Sequence, residues 1–568
     1  MNKKLIRHEL SKIFGNHIFA LALILATAIS MAAAIEAWWT LEAERKQLLS
    51  FGYGIGLQSQ TYLGQTRESS FGNWIVVSAN APLLASVFFY ALPLLAMLAG
   101  SWSCLSERLS GYEAQICTRV SRNAYVNVKM LSAFLSAFAV TAIPLLVNFL
   151  IVSMLFPAYL PRVDESTYVG LYLHSYFSGL FYSRPLLYVL VYTLFDAVAL
   201  GVLSMAVTGL SVVFRSRIKA MVVPYLIMVA WHFVNDWIFS VLSCVGFNCN
   251  ILNSIRSESL NNWPDICGNH FAVRLFFDFR EILKKARGGL MLFRLVAADL
   301  RTVLKKNIVT FIAVAAVTVA NLVYAYGLSS VYGVRTDTLG FADNLALVFA
   351  GSAPFEPRPG VMFVPPLGWL FLILLILYTT LDYPTESLHG LGLQALVRCR
   401  ARTLWWASRF ISVAAVTAFS LLVVVCSVVI WSLVVSSSFS AVIHGESLQL
   451  ANLAPWFLKA AEADALPFFI GLLFAFEALA FAQAAVGFVL GPSVSFVVLM
   501  SYLICSAYAR HWALLGNALM LLRWGGIVKE GIAAGSSVLS SIGLMALCLS
   551  LGGLWFRRAD LIEKGDKI

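Results

Sequence analysis

Eleven long apolar stretches, separated by short polar segments, dominate this sequence. A helix needs about 20 mostly apolar residues to cross a membrane. The stretches lie near 18–38, 81–103, 131–156, 185–213, 220–242, 308–326, 366–381, 411–435, 466–490, 493–509 and 531–556. Only 12% of the residues are charged and 60% are hydrophobic, so a soluble core could not hide the apolar surface. This excludes a soluble enzyme and a nucleic-acid-binding domain, and it predicts an all-α polytopic membrane protein.

The basic residues lie mainly in short segments between the apolar stretches, although the formal net charge is +11. Such a bias marks the cytoplasmic side of a membrane protein. We therefore expect a cytoplasmic N-terminus, carrying Lys3, Lys4, Arg7 and Lys12. The first apolar stretch is too long for a cleaved signal peptide, and without a cleaved targeting segment we expect a bacterial inner membrane. Residues 274–306 carry nine basic residues and should also be cytoplasmic. The first half then needs either a weak or re-entrant sixth span or a different span count, which gives about 11–12 helices.

The pattern E-x-L-x-G-x-x-x-Q-x-x-x-R occurs twice, each time directly after an apolar stretch. The offset between the copies, from 107 to 386, is 279 residues. The first copy contains Glu107, Gly111, Gln115 and Arg119, and the second contains Glu386, Gly390, Gln394 and Arg398. This repetition predicts two tandem parallel units of about six helices, 1–285 and 286–568, with a pathway between them.

The four-residue steps in each copy would place these side chains on one face of a helix. Such a helix at the end of a span could dock on a cytoplasmic partner. The alternative is an ordinary juxtamembrane helix that contacts anionic lipid headgroups. The occurrence of the pattern in both halves favours docking.

These features together resemble the membrane subunits of ABC-2 type transporters. The resemblance rests on two units of about six spans, a basic amphipathic N-terminal helix, the E-x-x-x-G loop after the second span, and the C-terminal sequence W-F-R-R-A-D-L at 555–561. It implies an exporter with a separate cytoplasmic ATP-binding-cassette ATPase, in two copies, contacted by the two loops. The chain itself lacks G-x-x-x-x-G-K-[ST], the phosphate-binding loop. ATP and Mg are therefore expected on the partner, and no cofactor, metal or catalytic residue is predicted here.

Two carboxylates lie inside apolar stretches at similar places in the two halves. Asp196 follows Pro185 by eleven residues, and Glu477 follows Pro467 by ten. Ionisable residues within spans usually face an interior or a water-filled path. They could line a transport pathway or brace a neighbouring helix. They also support an alternative function, an ion-coupled secondary transporter that uses Asp196 and Glu477.

A polar segment after the fifth stretch contains Cys249 and Cys267, with Cys244 and His270 nearby. Outside the cell, the two cysteines Cys249 and Cys267 could form a disulfide. A Cys₃His metal site is the alternative interpretation. A third function, a membrane enzyme acting on a lipid-linked substrate, would need exposed acidic residues or histidines in the outer loops. No paired-acid motif of that kind stands out.

Overall fold

The computed structural model describes residues 3–50, 69–78, 80–163, 171, 175, 177–211, 214, 216–242, 303–332, 339–356, 362–382, 402–451 and 457–558. Helices α1 to α6 are Lys3–Phe14, His17–Ser50, Pro82–Gly100, Ser103–Leu109, Tyr112–Cys117 and Arg122–Leu155. Helices α7 to α9 are Ser178–Ser183, Pro185–Leu210 and Arg217–Leu242. Helices α10 to α13 are Ile308–Tyr332, Phe341–Val348, Leu367–Leu381 and Arg402–Val434. After the antiparallel strands β1, Val442–His444, and β2, Glu462–Asp464, come α14 to α16, Leu466–Leu490, Pro492–Tyr508 and Ala534–Arg558.

Nine helices within the described ranges are long and apolar enough to cross a membrane, namely α2, α3, α6, α8, α9, α10, α13, α14 and α16. The shorter apolar helices α12 and α15 coincide with the two remaining predicted stretches. The prediction of a multi-pass helical membrane protein is therefore confirmed. Residues 243–302, where a sixth span of the first half was expected, lie outside the described residues, so that span stays a prediction.

Local sequence explains how two of these helices begin. The Asn16 side chain accepts a hydrogen bond from the Ile18 amide at 2.9 Å, and so caps the start of α2. Helix α3 begins with Pro82, which has no amide hydrogen to leave unsatisfied. The next two amides, Leu83 and Leu84, donate to the Glu36 carboxylate of α2 at 3.1 and 2.8 Å. This contact fixes α2 and α3 together.

The long helices pack in two groups. In the first group α2, α3 and α6 contact one another, α8 packs on α3 and α6, and α9 packs on α3 and α8. In the second group α10, α12 and α13 contact one another, α14 packs on α12 and α13, and α15 packs on α12 and α14. The groups meet where α9 packs on α10, α12 and α15 and where α15 packs on α3. Because most side chains of α3 and α12 are buried, these two helices form the centre of the structure.

Shorter elements lie at both ends of the helical bundle. Helices α1, α4 and α5 lie at the end where α2 begins, and α1 packs on α6. At the opposite end α11 packs against β1 and the end of α13. Two 3-10 turns, Leu515–Leu519 and Leu521–Arg523, follow α15 there.

Candidate functional site

A cluster of charged side chains is buried where α1, α4 and α6 meet. Lys129 of α6 donates hydrogen bonds to Glu9 of α1 at 2.5 Å and to Glu107 of α4 at 2.6 Å. The Tyr125 hydroxyl donates to the other Glu107 oxygen at 2.7 Å. Lys12 of α1 donates to the same Glu107 oxygen as Lys129. One carboxylate thus joins α4 to both α1 and α6; we call these five residues the Glu107 cluster.

The Glu107 cluster is electrically balanced, with two carboxylates and two ammonium groups. Glu9 and Lys129 are fully buried, and Glu107 is 5% exposed. Burial alone would raise the pKa of Glu107, but Lys129, Lys12 and Tyr125 outweigh it and hold that pKa below its ordinary value. Burial alone would lower the pKa of Lys12, but its hydrogen bond and charge interactions with Glu107 and Glu9 raise it. Both shifts favour the charged forms of Glu107 and Lys12. Separating the members of the cluster would leave buried charges unpaired.

Gly111 breaks the helix that was predicted to continue from Glu107 to Arg119. Its φ of 77° is left-handed, a conformation that glycine adopts without steric cost. Helix α4 ends before it and α5 starts after it, so the prediction of a single face is wrong. Glu107 points into the cluster, whereas Gly111, Gln115 and Arg119 are exposed. No residue of α5 is buried.

Helix α5 nevertheless contacts the neighbouring elements. The Lys12 ammonium lies 5.0 Å from the centre of the Tyr112 ring, within the range of a cation–π contact. Arg122, at the start of α6, lies 3.7 Å from the Glu113 carboxylate. An exposed helix is therefore linked to α1 and α6 both directly and through α4. The corresponding residues of the second half, Glu386, Gly390, Gln394 and Arg398, lie outside the described residues.

The two predicted intramembrane carboxylates occupy matching places in their helices. Asp196 is the twelfth residue of α8, and Glu477 is the twelfth of α14. Asp196 is fully buried, and neither of its carboxyl oxygens has a hydrogen-bond partner among the described residues. Glu477 is only partly buried, and its Oε2 likewise finds no partner there. The structure gives neither residue a bracing hydrogen bond within those residues.

Two polar groups at the opposite end of the bundle were not predicted from the sequence. Asp343, at the start of α11, accepts hydrogen bonds from the backbone amide and the Nδ1 of His444, both at 2.7 Å. This interaction raises the pKa of His444. Arg523 is 1% exposed and donates four hydrogen bonds to Asn517 and to the carbonyls of Ser352, Ala353 and Ala507. Each group joins segments that are far apart in the sequence, and the spacing of apolar residues alone does not predict such contacts.

The described residues contain no group of three His, Cys, Asp or Glu side chains placed to hold a metal ion. Cys104, Cys117, Cys426, Cys505 and Cys548 are free thiols. The predicted disulfide pair, Cys249 and Cys267, lies outside the described residues.

Comparison with known proteins adds one partial match. A family described as a protein of unknown function (DUF2705) matches residues 357–562. This range falls within the second predicted unit and carries no assigned activity. No match was found among curated proteins or among solved structures.

Proposed function

We propose that this chain is the membrane-spanning subunit of an ATP-driven exporter that works with a separate ATPase. In this proposal α1, α4 and α5 face the cytoplasm of a bacterial cell, and the chain lies in the inner membrane. The observation that carries the proposal is the attachment of α5 to α1 and α6, directly through Tyr112 and Glu113 and, by way of α4, through the buried Glu107 cluster. A displacement of α5 would be passed to those helices, because pulling the cluster apart separates buried charges.

The proposed contact with the ATPase is made by α5 and the turns around it. Gly111, Gln115 and Arg119 are exposed there and available to a partner. Glu107 is held by three donors inside the structure, so we assign it a positioning role instead of direct contact. Residues 386–398 would form the second docking loop, which matches two ATPase copies. ATP and Mg would bind to those copies, since the chain has no phosphate-binding loop.

The division into two parallel units is part of the proposal and is supported by the helix packing. Helices α2, α3, α6, α8 and α9 make the same set of pairwise contacts as α10, α12, α13, α14 and α15. Two of the contacts between the groups are reciprocal, since α9 packs on α12 and α15 packs on α3. Such reciprocity is expected of two units related by an axis along the membrane normal. The transport pathway would then open between these four helices.

One observation favours the ion-coupled transporter as a second candidate. Asp196 is buried deep in an apolar helix without a hydrogen-bond partner in the described ranges. A carboxyl group in that position is costly and is often a proton or cation site. In this case Asp196→Asn and Glu477→Gln would abolish ion-dependent uptake or efflux. In the ATP-driven exporter the same variants would leave ATP-dependent transport in place.

The test is purification of the tagged chain in mild detergent from its native membranes, followed by identification of any bound ATPase. We expect an ATP-binding-cassette ATPase to copurify with the wild type and to be lost from Arg119→Glu combined with Arg398→Glu. Arg162→Glu, at the opposite end of the bundle, is the matched control and should retain the ATPase. Recovery of the ATPase with every variant would refute the assignment of the docking loops. Failure to recover an ATPase from stable preparations would refute the ATP-driven function.

A further inference from the structure

Helix α1 presents three different faces along its 12 residues. Glu9 and Ile13 are buried against the rest of the protein. Ile6, Leu10 and Phe14 follow one another at four-residue intervals and therefore form one apolar stripe. With Arg7 and Ser11, this stripe lines a shallow, open groove along one side of α1, and all five lining residues belong to this helix. The groove is almost wholly apolar, and Phe14 remains 43% exposed.

The position of the groove indicates what covers it. Only Gly15 and Asn16 separate α1 from α2, whose apolar span begins at His17. The groove therefore lies at the level where the first spanning helix meets the membrane boundary. A helix at that boundary buries an apolar face among the acyl chains and keeps its polar face at the headgroups. The third face of α1, with His8 exposed, fits the headgroup and water layer.

The charges around the groove have one sign. Arg7 borders the stripe and is exposed, and the first turn of the helix contains Lys3 and Lys4. The helix has one acidic residue, Glu9, which is buried and bound to Lys129. A basic surface of this kind favours negatively charged lipid, by about fivefold for each basic residue close to the membrane.

We propose that α1 binds an anionic phospholipid, with an acyl chain along Ile6, Leu10 and Phe14 and the phosphate at Arg7. The same helix supplies Glu9 and Lys12 to the Glu107 cluster. Lipid in the groove therefore stabilises the position of α1 against α4 and α6. This inference does not depend on the proposed ATPase, since it concerns only the chain and its membrane.

The test uses the full chain in nanodiscs that contain a phospholipid with a photoreactive diazirine on its acyl chain. The lipid is either phosphatidylglycerol or phosphatidylcholine with the same chains, and labelled peptides are identified by mass spectrometry. Labelling of α2 near the exposed Leu21 and Ile24 serves as an internal reference for folded, inserted protein. We expect residues 3–14 to be labelled at least about fivefold more by phosphatidylglycerol, relative to this reference.

Variants separate the contribution of the headgroup charge to lipid labelling from the contribution of the apolar groove. Arg7→Glu should bring phosphatidylglycerol labelling of residues 3–14 down towards the phosphatidylcholine level, whereas Arg162→Glu, the same charge change at the opposite end, should leave it unchanged. Leu10→Gln should lower labelling by both lipids. Equal labelling by both lipids in the wild type would overturn the anionic preference. Absence of labelling in residues 3–14, with the reference labelled, would overturn lipid as the occupant and point to residues 243–302 or to another protein.

Discussion

Replacing Lys129 by methionine should loosen the end of the bundle where α1, α4 and α6 meet. The substitution keeps most of the apolar stem but removes a fully buried ammonium group that binds Glu9 at 2.5 Å and Glu107 at 2.6 Å. The cluster then holds two carboxylates and one ammonium group. Removing one member of a buried ion pair typically costs about 3–5 kcal/mol. At about 1.4 kcal/mol for each factor of ten, opening should become at least on the order of a hundredfold more frequent.

Hydrogen exchange measured by mass spectrometry on the intact chain reports this opening directly, because it gives the local free energy of opening for each segment. We expect faster exchange in α1, α4 and the first turns of α6, with α14 unchanged. Combining Glu9→Gln with Lys129→Met should restore part of the protection against exchange, since the charges of the remaining Glu107 and Lys12 balance each other. Lys46→Met is the matched control, because its pair with Glu42 is exposed and 3.8 Å long, a kind worth about 0.3–0.5 kcal/mol. Equal exchange in Lys129→Met and Lys46→Met would refute the structural role of the cluster.

Three further outcomes are expected. Gly111→Ala forces a side chain into left-handed backbone at a site with open space around it. It should lower the local free energy of opening by about 1–2 kcal/mol, which is measured as faster hydrogen exchange confined to α4 and α5. Arg523→Gln should destabilise the segment after α15 by at least about 3 kcal/mol, since several charged hydrogen bonds of about 1.5–3 kcal/mol are lost; an unchanged melting temperature would contradict this. The pKa of His444 is raised above 6.5 by Asp343, so its stabilising effect is complete below about pH 6.5 and is lost as pH rises through the raised value. The melting-temperature difference between wild type and His444→Gln should therefore shrink from about pH 5 to about pH 9, and a constant difference would contradict the interaction.

The spanning helices were predictable because apolar composition alone decides whether a segment enters a membrane. Each of the eleven predicted stretches coincides with a helix of the structure. The placement of Asp196 and Glu477 well inside α8 and α14 was also predictable from distance to the preceding proline. Short helices such as α1, α4 and α5 depend on tertiary contacts, so only their general location could be inferred from the sequence.

The Glu107 cluster could not be predicted from local patterns. The sequence places Lys12 among the basic residues of the cytoplasmic side, because it does not say which charges face inward. The bond between Glu9 and Lys129 joins residues 120 positions apart. A weak signal existed, since Lys129 shares a helix face with Ser132 and Ser136, small residues typical of a buried interface. Gly111 also indicated a possible helix break, but the four-residue spacing around it favoured one continuous helix.

The most direct test of the proposed function is a photo-crosslink from an exposed side chain of α5. A photoreactive phenylalanine analogue replaces Gln115 in the full chain, and Trp512, 59% exposed beyond α15, carries the same group as the control. Irradiation of native membranes should join an ATP-binding-cassette ATPase to the chain from position 115 and not from position 512. Capture of an ATPase from position 512 alone, or of none from position 115 in well-expressed protein, would contradict the proposal that α5 docks the ATPase.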